Sequence, residues 1–392
     1  MRRLAAAGGV LLLMAALLAL GWGRWPRADT AADSSLPVAG SSLPGTTVTL
    51  ATTTIPPSTT STIASTTTSP PPGIAVAEIP AEQARPSEFF GALLALSTRE
   101  AWAVMYTDAV GELGTNLIGR IVDGAWTLYA LGGSDWTRVM GLARAPDGTV
   151  WAATDIGVFS FDGRAWTRQF DPAGGVAVAP DGCVWVGGNL AHPTTGLGSL
   201  WLARRDGESW ERLDAFSGEP LEPWGQASIA VLPGGEAWIA HRPGFWVQED
   251  LTHYDGTAMA VVDIPGVPDE TPDNAQPAVR VFEVAADPGG RLWAVGYLAA
   301  DPLRAVLARF DGDAWTLIDW PFPPPAELPL DIDISAGPDG VMWFADNGGL
   351  RSYDGTTWQS HLEGRLVYNV AVAPDGAVWY SDETGVHPLE AP

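Results

Sequence analysis

Five histidines are where chemistry in this chain could start: His192, His241, His253, His361 and His387. Imidazole titrates near neutrality and is a common metal ligand. The five are scattered, and only His361-Leu362-Glu363 sets a His close to a Glu. The one cysteine, Cys183, has no partner for an internal disulfide and stands in no metal-type spacing. Its setting, CVWVGG, reads as the start of a strand, with the thiol as a small buried hydrophobe. Asp269, Glu270 and Asp273 could offer oxygens to calcium, but EF-hand spacing is missing, so they read as a solvated loop. These spacings assemble no catalytic set and no metal site, and they call for no cofactor.

A second group of residues has the chemistry of recognition. HRPGFW carries His241, Arg242, Phe245 and Trp246. EPLEPWG carries Trp224, NLAHPTTG carries His192, and DWPFPPP carries Trp320 and Phe322. Aromatic faces beside Arg and acids suit sugars or extended peptides. His192, Trp224, His241, Arg242, Trp246, Trp320 and Phe322 are therefore the candidate ligand-binding residues. The competing reading is that each Trp covers its own loop.

The elements that must hold them are legible in a two-beat phrase. The first beat is a turn and then a Trp: 146–148 with Trp151, 180–182 with Trp185, 233–235 with Trp238 and 288–290 with Trp293. It recurs at 338–340 with Trp343 and 374–376 with Trp379, and a degenerate copy precedes Trp102. The second beat is Asp-Gly followed by Trp126, Trp166, Trp210, Trp315 or Trp358, with Met259 in the Trp position after Asp255-Gly256. Asp-Gly supplies the positive φ that tight hairpins need. A repeat of about 45 residues with two tight turns reads as one four-stranded antiparallel sheet. Around Trp151 the strands fall at 139–145, 149–154, 157–161 and 165–170.

Seven first beats predict an all-β, seven-bladed propeller. The twelve repeat Trp are expected to pack between blades, where each buried ring removes roughly 150–250 Å² from water. Only six second beats occur, so the last blade lacks a fourth strand. Residues 73–80, GIAVAEIP, have strand composition and are expected to pair with the last blade and close the ring, hiding open edges. In such a meander all the tight turns fall on one face. The longer insertions, 107–117, 187–199, 214–226, 240–250, 265–277, 297–305 and 320–329, fall on the other. Binding residues concentrate on loops held by a rigid scaffold, so that second face is the candidate functional one.

The remainder of the chain concerns location. From Leu4 to Gly23 nothing is charged, which is enough to span a bilayer, and Arg2 and Arg3 precede it. Trp22, Trp25, Arg24 and Arg27 follow, as at a membrane interface. Residues 1–27 read as a transmembrane anchor or a signal peptide with a cleavage site near Ala19-Leu20-Gly21. Residues 28–72 are a Thr/Ser/Pro-rich stalk with little to bury, expected to be disordered and possible to decorate with O-linked sugar. The propeller then occupies 73–392. The net charge of −25, with all 21 basic residues Arg, disfavours nucleic acid as a partner.

The phrase PDGxxW followed by GxxxxDGxxW resembles the two-component-regulator type of propeller repeat of bacterial extracellular sensor regions. It is also similar to streptogramin-lyase-like propellers. The likeness covers roughly 90–392. The first resemblance implies sensing, although no kinase, phospho-acceptor or DNA-binding region follows the repeats. The second implies a metal-assisted site of His and Glu on neighbouring blades, which does not map residue by residue here. Sialidase Asp boxes are similar to 160–166 but have one more residue between Asp and Gly. The expectation is an extracytoplasmic, membrane-anchored or secreted propeller that binds a glycan, peptide or protein without catalysis. The alternative is a metal-dependent lyase or hydrolase.

Overall fold

Alternating apolar residues between Gly-rich turns give short strands that must bury one face. The computed structural model describes residues 48–49, 77–80, 90–107, 115–131, 137–191, 198–213, 226–241, 251–265, 279–298, 304–323 and 332–390. The expectations for 1–27, and for 28–72 apart from Val48–Thr49, lie outside them.

Seven antiparallel sheets follow one another along the chain. Blade one is Phe90–Ser97, Glu100–Thr107, Thr115–Val122 and Ala125–Ala130. Blade two is Val139–Arg144, Val150–Thr154, Gly157–Phe161 and Trp166–Phe170, close to the ranges read from the sequence. Blade three is Gly175–Val178, Val184–Ala191, Gly198–Asp206 and Ser209–Arg212. Blade four is Ala227–Val231, Ala237–His241, Leu251–Tyr254 and Met259–Val261. Blade five is Val279–Ala286, Leu292–Leu298, Arg304–Phe310 and Ala314–Ile318. Blade six is Asp333–Ala336, Met342–Asp346, Gly349–Tyr353 and Trp358–Ser360. Among the described residues blade seven has three strands, Val367–Val372, Val378–Asp382 and Gly385–Pro388. The first strand of each blade packs against the first strands of its two neighbours, and the circuit closes from blade seven to blade one. The protein is a seven-bladed β-propeller.

The turns explain the repeated Asp and Gly. Gly148, Gly182, Gly340 and Gly376 of the first beat have φ between 83° and 89°. In the second beat, Asp162 Oδ1 accepts from the amides of Arg164 and Ala165, and Asp354 Oδ1 from those of Thr356 and Thr357. Asp311 and Asp255 do the same in blades five and four. Each carboxylate replaces the partners that the turn denies to the backbone. Hydrogen bonds from these amides, and for Asp255 first the Thr257 hydroxyl, hold the carboxyls below their usual range.

The repeat Trp lie between blades in one recurring arrangement. In six blades the second-strand Trp is met by the outer-strand Trp or Met of the next. Trp166 stands edge-on to Trp102 at 5.8 Å, Trp210 to Trp151 at 6.3 Å, and Trp315 to Trp238 at 5.6 Å. Met259 joins Trp185, Trp358 joins Trp293, and Trp126 joins Trp379 in the corresponding clusters. Trp102, Trp151, Trp185, Trp238, Trp293 and Trp379 are buried to 3% exposure or less, whereas Trp343 of blade six is only partly buried. Among the described residues no fourth strand of blade seven covers Trp343.

The expectation that 73–80 supplies this strand does not hold. Ala77–Pro80 pairs antiparallel with the outer strand of blade one, Ala77 opposite Ala130 and Pro80 opposite Thr127. Val48–Thr49 lies similarly against Ala314 and Trp315 of blade five. A short β-prone segment can pair with any open edge, and composition does not say which. The seam needs no shared strand because side chains close it. Trp379 Nε1 donates to Ser97 O at 2.8 Å, the Thr98 amide donates to Asp375 at 2.9 Å, and Trp379 packs among Ala95, Ala101 and Ile121.

Part of what reads as loop is strand. Blade three's middle hairpin is paired as far as Ala191 opposite Gly198, blade five's as far as Leu298 opposite Arg304, and blade one's as far as Thr107 opposite Thr115. In these blades the middle hairpin is lengthened at the end opposite the tight turns.

Inner strands approach closely where glycine allows it. A Cβ on Gly175 would lie 2.1 Å from Ala227 O of blade four. Gly175→Ala is expected to cost about 1–3 kcal/mol through forced separation of blades three and four, read as a lower midpoint in chemical denaturation. Acid is expected to act through the turn aspartates. Their folded pKa values are depressed, so their stabilisation is present above about pH 4 and lost as pH falls towards their folded values. A pH series of thermal melts should therefore drop steeply below about pH 4, and less steeply in an Asp162→Asn/Asp354→Asn variant.

Candidate functional site

On the described portion of the loop-bearing face, blades five to seven contribute a set of polar and aromatic side chains. Trp320 and Phe322 follow blade five's outer strand. The Trp320 ring lies 5.5 Å from Phe322, 5.5 Å from Phe344 and 5.1 Å from Trp358. Phe322 lies 5.4 Å from Trp358, and the Arg351 guanidinium sits 4.3 Å over its face. Both rings therefore pack on blade six, and both stay partly exposed.

Arg351, on blade six's third strand, is 4% exposed. It donates to Gly348 O at 2.9 Å and to Ser360 Oγ, and its Nε is 3.9 Å from Asp346 Oδ2. Burial pushes the Asp346 carboxyl up, against the opposing pull of the Gly348 amide and Arg351. His361 stacks on Trp343 at 4.7 Å, with Nε2 2.9 Å from Ser352 Oγ. Burial, and then the Arg351 charge, push its pKa down.

Blade seven adds Asp382, 3% exposed at the end of its second strand. Its Oδ1 accepts from the Thr384 amide at 2.8 Å and from the Thr384 hydroxyl, and lies 3.3 Å from His387 Nε2. Oδ2 lies 3.5 Å from Arg365. Burial pushes this carboxyl up, but the Thr384 hydrogen bonds with His387 and Arg365 outweigh it, and the net shift is downward. Beside it, Ser381 Oγ is buried 3.2 Å from Asn369 Oδ1.

The seven candidate binding residues divide as follows. Trp320 and Phe322 are brought together. His241 ends blade four's second strand, with its backbone opposite Ala227. His192, Trp224, Arg242 and Trp246 lie outside the described residues, as do Phe245, Asp269, Glu270 and Asp273. Cys183 is partly buried beside blade three's core, and burial pushes its thiol up. Among the described residues no three His, Cys, Asp or Glu side chains converge as a metal site.

Sequence reasoning missed a second regularity. The residue facing the second-strand Trp from the third strand is Arg or His in four blades. Arg120 faces Trp102, Arg204 faces Trp185, His253 faces Trp238, and Arg309 faces Trp293. The three guanidinium groups sit 5.6–5.8 Å from the ring centroids, and His253 stacks at 4.0 Å. Acids hold them: Glu100 at 2.9 Å from Arg120, Glu211 at 2.8 Å from Arg204, Glu236 at 3.3 Å from His253. The signal was present as a cation two or three residues before the Asp-Gly turn in DGAW, DGES, DGTA and DGDA. These groups belong to the scaffold, where each Arg–Trp pair is worth about 0.5–2 kcal/mol.

No protein-family profile and no curated protein matches the chain. Among solved structures, the fold is similar to virginiamycin B lyase from Staphylococcus aureus. Identity is 14%, the TM-score is 0.55, and 81% of this chain and 98% of that one are covered. It is also similar to an extracellular domain assigned to a one-component system of B. thetaiotaomicron, at 14% identity and a TM-score of 0.49, covering 80% and 39%. PorZ, a surface component of the type-IX secretion system of Porphyromonas gingivalis, shows 16% identity and a TM-score of 0.48, covering 77% and 46%. At these identities the likeness is one of fold. The resemblance to sensor-type and streptogramin-lyase-type propellers holds at that level.

His253 and His361 should both weaken the fold as they charge. Burial is the first cause of the depressed pKa in each. The unfolded chain therefore binds the proton first, and stability is full above about pH 6.5 and declines as pH falls below it. Thermal melts between pH 7.5 and 5 should show this loss, and a His253→Gln/His361→Gln variant should flatten it.

Proposed function

We propose that the protein is an extracytoplasmic, cell-surface binding or sensing propeller. It recognises a glycan, peptide or protein through the loop-bearing face and catalyses no reaction. One observation carries the reading: the tight turns share one rim, while lengthened hairpins and aromatics outside the repeat belong to the other. Arg351 and Asp382 on that face are held by neighbouring groups, and Trp320 and Phe322 present partly exposed aromatic surface beside them. The N-terminal apolar run and the Thr/Ser/Pro-rich stalk favour display outside the cytoplasm, by an anchor or after secretion.

The second reading is a metal-dependent lyase or hydrolase in the central funnel, favoured by the fold likeness to virginiamycin B lyase. One experiment separates the two. Purified full-length protein is melted against panels of glycans, peptides and divalent metals. A ligand at 100 times its Kd stabilises the fold by about 2.7 kcal/mol. The binding reading predicts a shift of several degrees with a glycan or peptide, reduced by Trp320→Ala or Trp246→Ala. Stoichiometric metal that His241→Ala or His361→Ala removes, with no response to glycans or peptides, would favour the enzyme.

A further inference from the structure

Blades two, six and seven close their middle hairpins with the same four-residue turn. Thr154, Asp346 and Asp382 open it, each paired with the glycine that ends it, Gly157, Gly349 or Gly385. Those three glycines have φ of 154°, 143° and 146°, so the closing position needs glycine. The third position does not. Ile156 and Thr384 occupy it in blades two and seven, and Gly348 occupies it in blade six without a positive φ. A Cβ at 348 would crowd only Arg351 Nη2 at 3.0 Å, the end of a long side chain, and Asp346 Oδ1 at 3.3 Å. The turn therefore does not call for Gly348. Its distinction is chemical: of the chain's five Asn, only Asn347 precedes a glycine.

We propose that Asn347 is a site of spontaneous modification, converted to aspartate and isoaspartate through a cyclic imide. The Gly348 nitrogen is the nucleophile, and with no Cβ beside it nothing hinders its approach to the Asn347 side chain. Asp346 is the base. Its Oδ1 accepts from the Gly348 amide at 2.7 Å, so the carboxylate already holds the proton that must leave. Burial pushes the Asp346 carboxyl up, which makes it a stronger base than an exposed carboxylate.

The atoms balance without an oxidant or reductant. Gly348 N loses its proton to Asp346 and bonds to Asn347 Cγ. The Cγ–Nδ2 bond breaks, and the nitrogen leaves as ammonia with the proton that Asp346 returns. Water then opens the ring. Attack at Cγ gives aspartate, and attack at the Asn347 backbone carbonyl carbon gives isoaspartate, whose chain continues through Cγ. One water is consumed for each ammonia released.

Both products alter the loop-bearing rim. Asn347 is partly exposed, next to Asp346 and to the Gly348 carbonyl that Arg351 holds at 2.9 Å. Aspartate adds a negative charge there. Isoaspartate also lengthens the backbone of a turn whose ends, Asp346 and Gly349, are paired, and so loosens the hairpin tip. The conversion needs no ligand and stands apart from what that face binds.

The test holds the full-length protein warm at neutral pH and follows conversion by mass spectrometry. Fragmentation places the mass gain, and a protein isoaspartate methyltransferase counts the isomer. The expected result is first-order conversion at Asn347 and at none of the other Asn. It should run about tenfold faster than in the synthetic peptide FADNGGLRS, where Asp346 is not held on the amide. Asp346→Asn should slow it about tenfold. Gly348→Ala should slow it by a similar factor, and it carries the test if the first variant does not fold. An Asn347 that stays an amide in the full chain would overturn the proposal. Conversion no faster than in the peptide and unchanged by Asp346→Asn would also overturn it, because the turn would then contribute nothing.

Discussion

Burial of one tryptophan per blade between neighbouring sheets is the constraint from which the other features follow. A four-stranded sheet cannot bury both faces alone, and the wheel offers each face the side of another blade. The second-strand Trp is the largest side chain at that seam. In six blades it is met by an outer-strand Trp or Met from the next blade, and in four by an Arg or His from its own third strand. An edge-to-face pair adds about 0.5–1.5 kcal/mol to the area it buries. Repeated around the ring, it explains why the chain tolerates turns of nearly fixed length on one rim and free insertion on the other.

Much of this architecture was legible because the repeat has a physical reason at each position. Asp-Gly turns need a positive φ and a carboxylate to bind the turn amides, so they mark each hairpin. Trp needs a deep seam, so it marks each blade. The Arg and His that face the Trp were less visible, since single cations near a turn look like solvated surface until strand register sets them over a ring. The partner of 73–80 was not legible. Strand pairing between an isolated segment and an open edge is decided by geometry, and blades one and seven both offered an edge. Hairpin lengthening in blades one, three and five was also hidden, because Gly and Asn in Gly187-Gly188-Asn189 look like loop residues while pairing as strand.

The candidate site was legible only in part. Trp320 and Phe322 were singled out because they fall outside the repeat, and the fold does bring them together. It also seats them on Trp358 and under Arg351, so their contribution is as much to the seam of blades five and six as to open surface. Asp382, with Thr384, His387 and Arg365 around it, was not foreseen. Its members come from blade seven and from the connection leading into it, and nothing in their spacing announces the cluster.

The most direct test compares two second-strand tryptophans, one with and one without an outer-strand Trp against it among the described residues. Trp238 and Trp343 both stack on a histidine, but only Trp238 has an outer-strand Trp from the next blade at its edge. Unfolding free energies of Trp238→Ala and Trp343→Ala, measured by chemical denaturation, should differ. The loss at Trp238 should exceed that at Trp343 by about 1 kcal/mol or more. Equal losses, or a larger one at Trp343, would contradict the account, because the aromatic relay between blades would then not be what holds the wheel together.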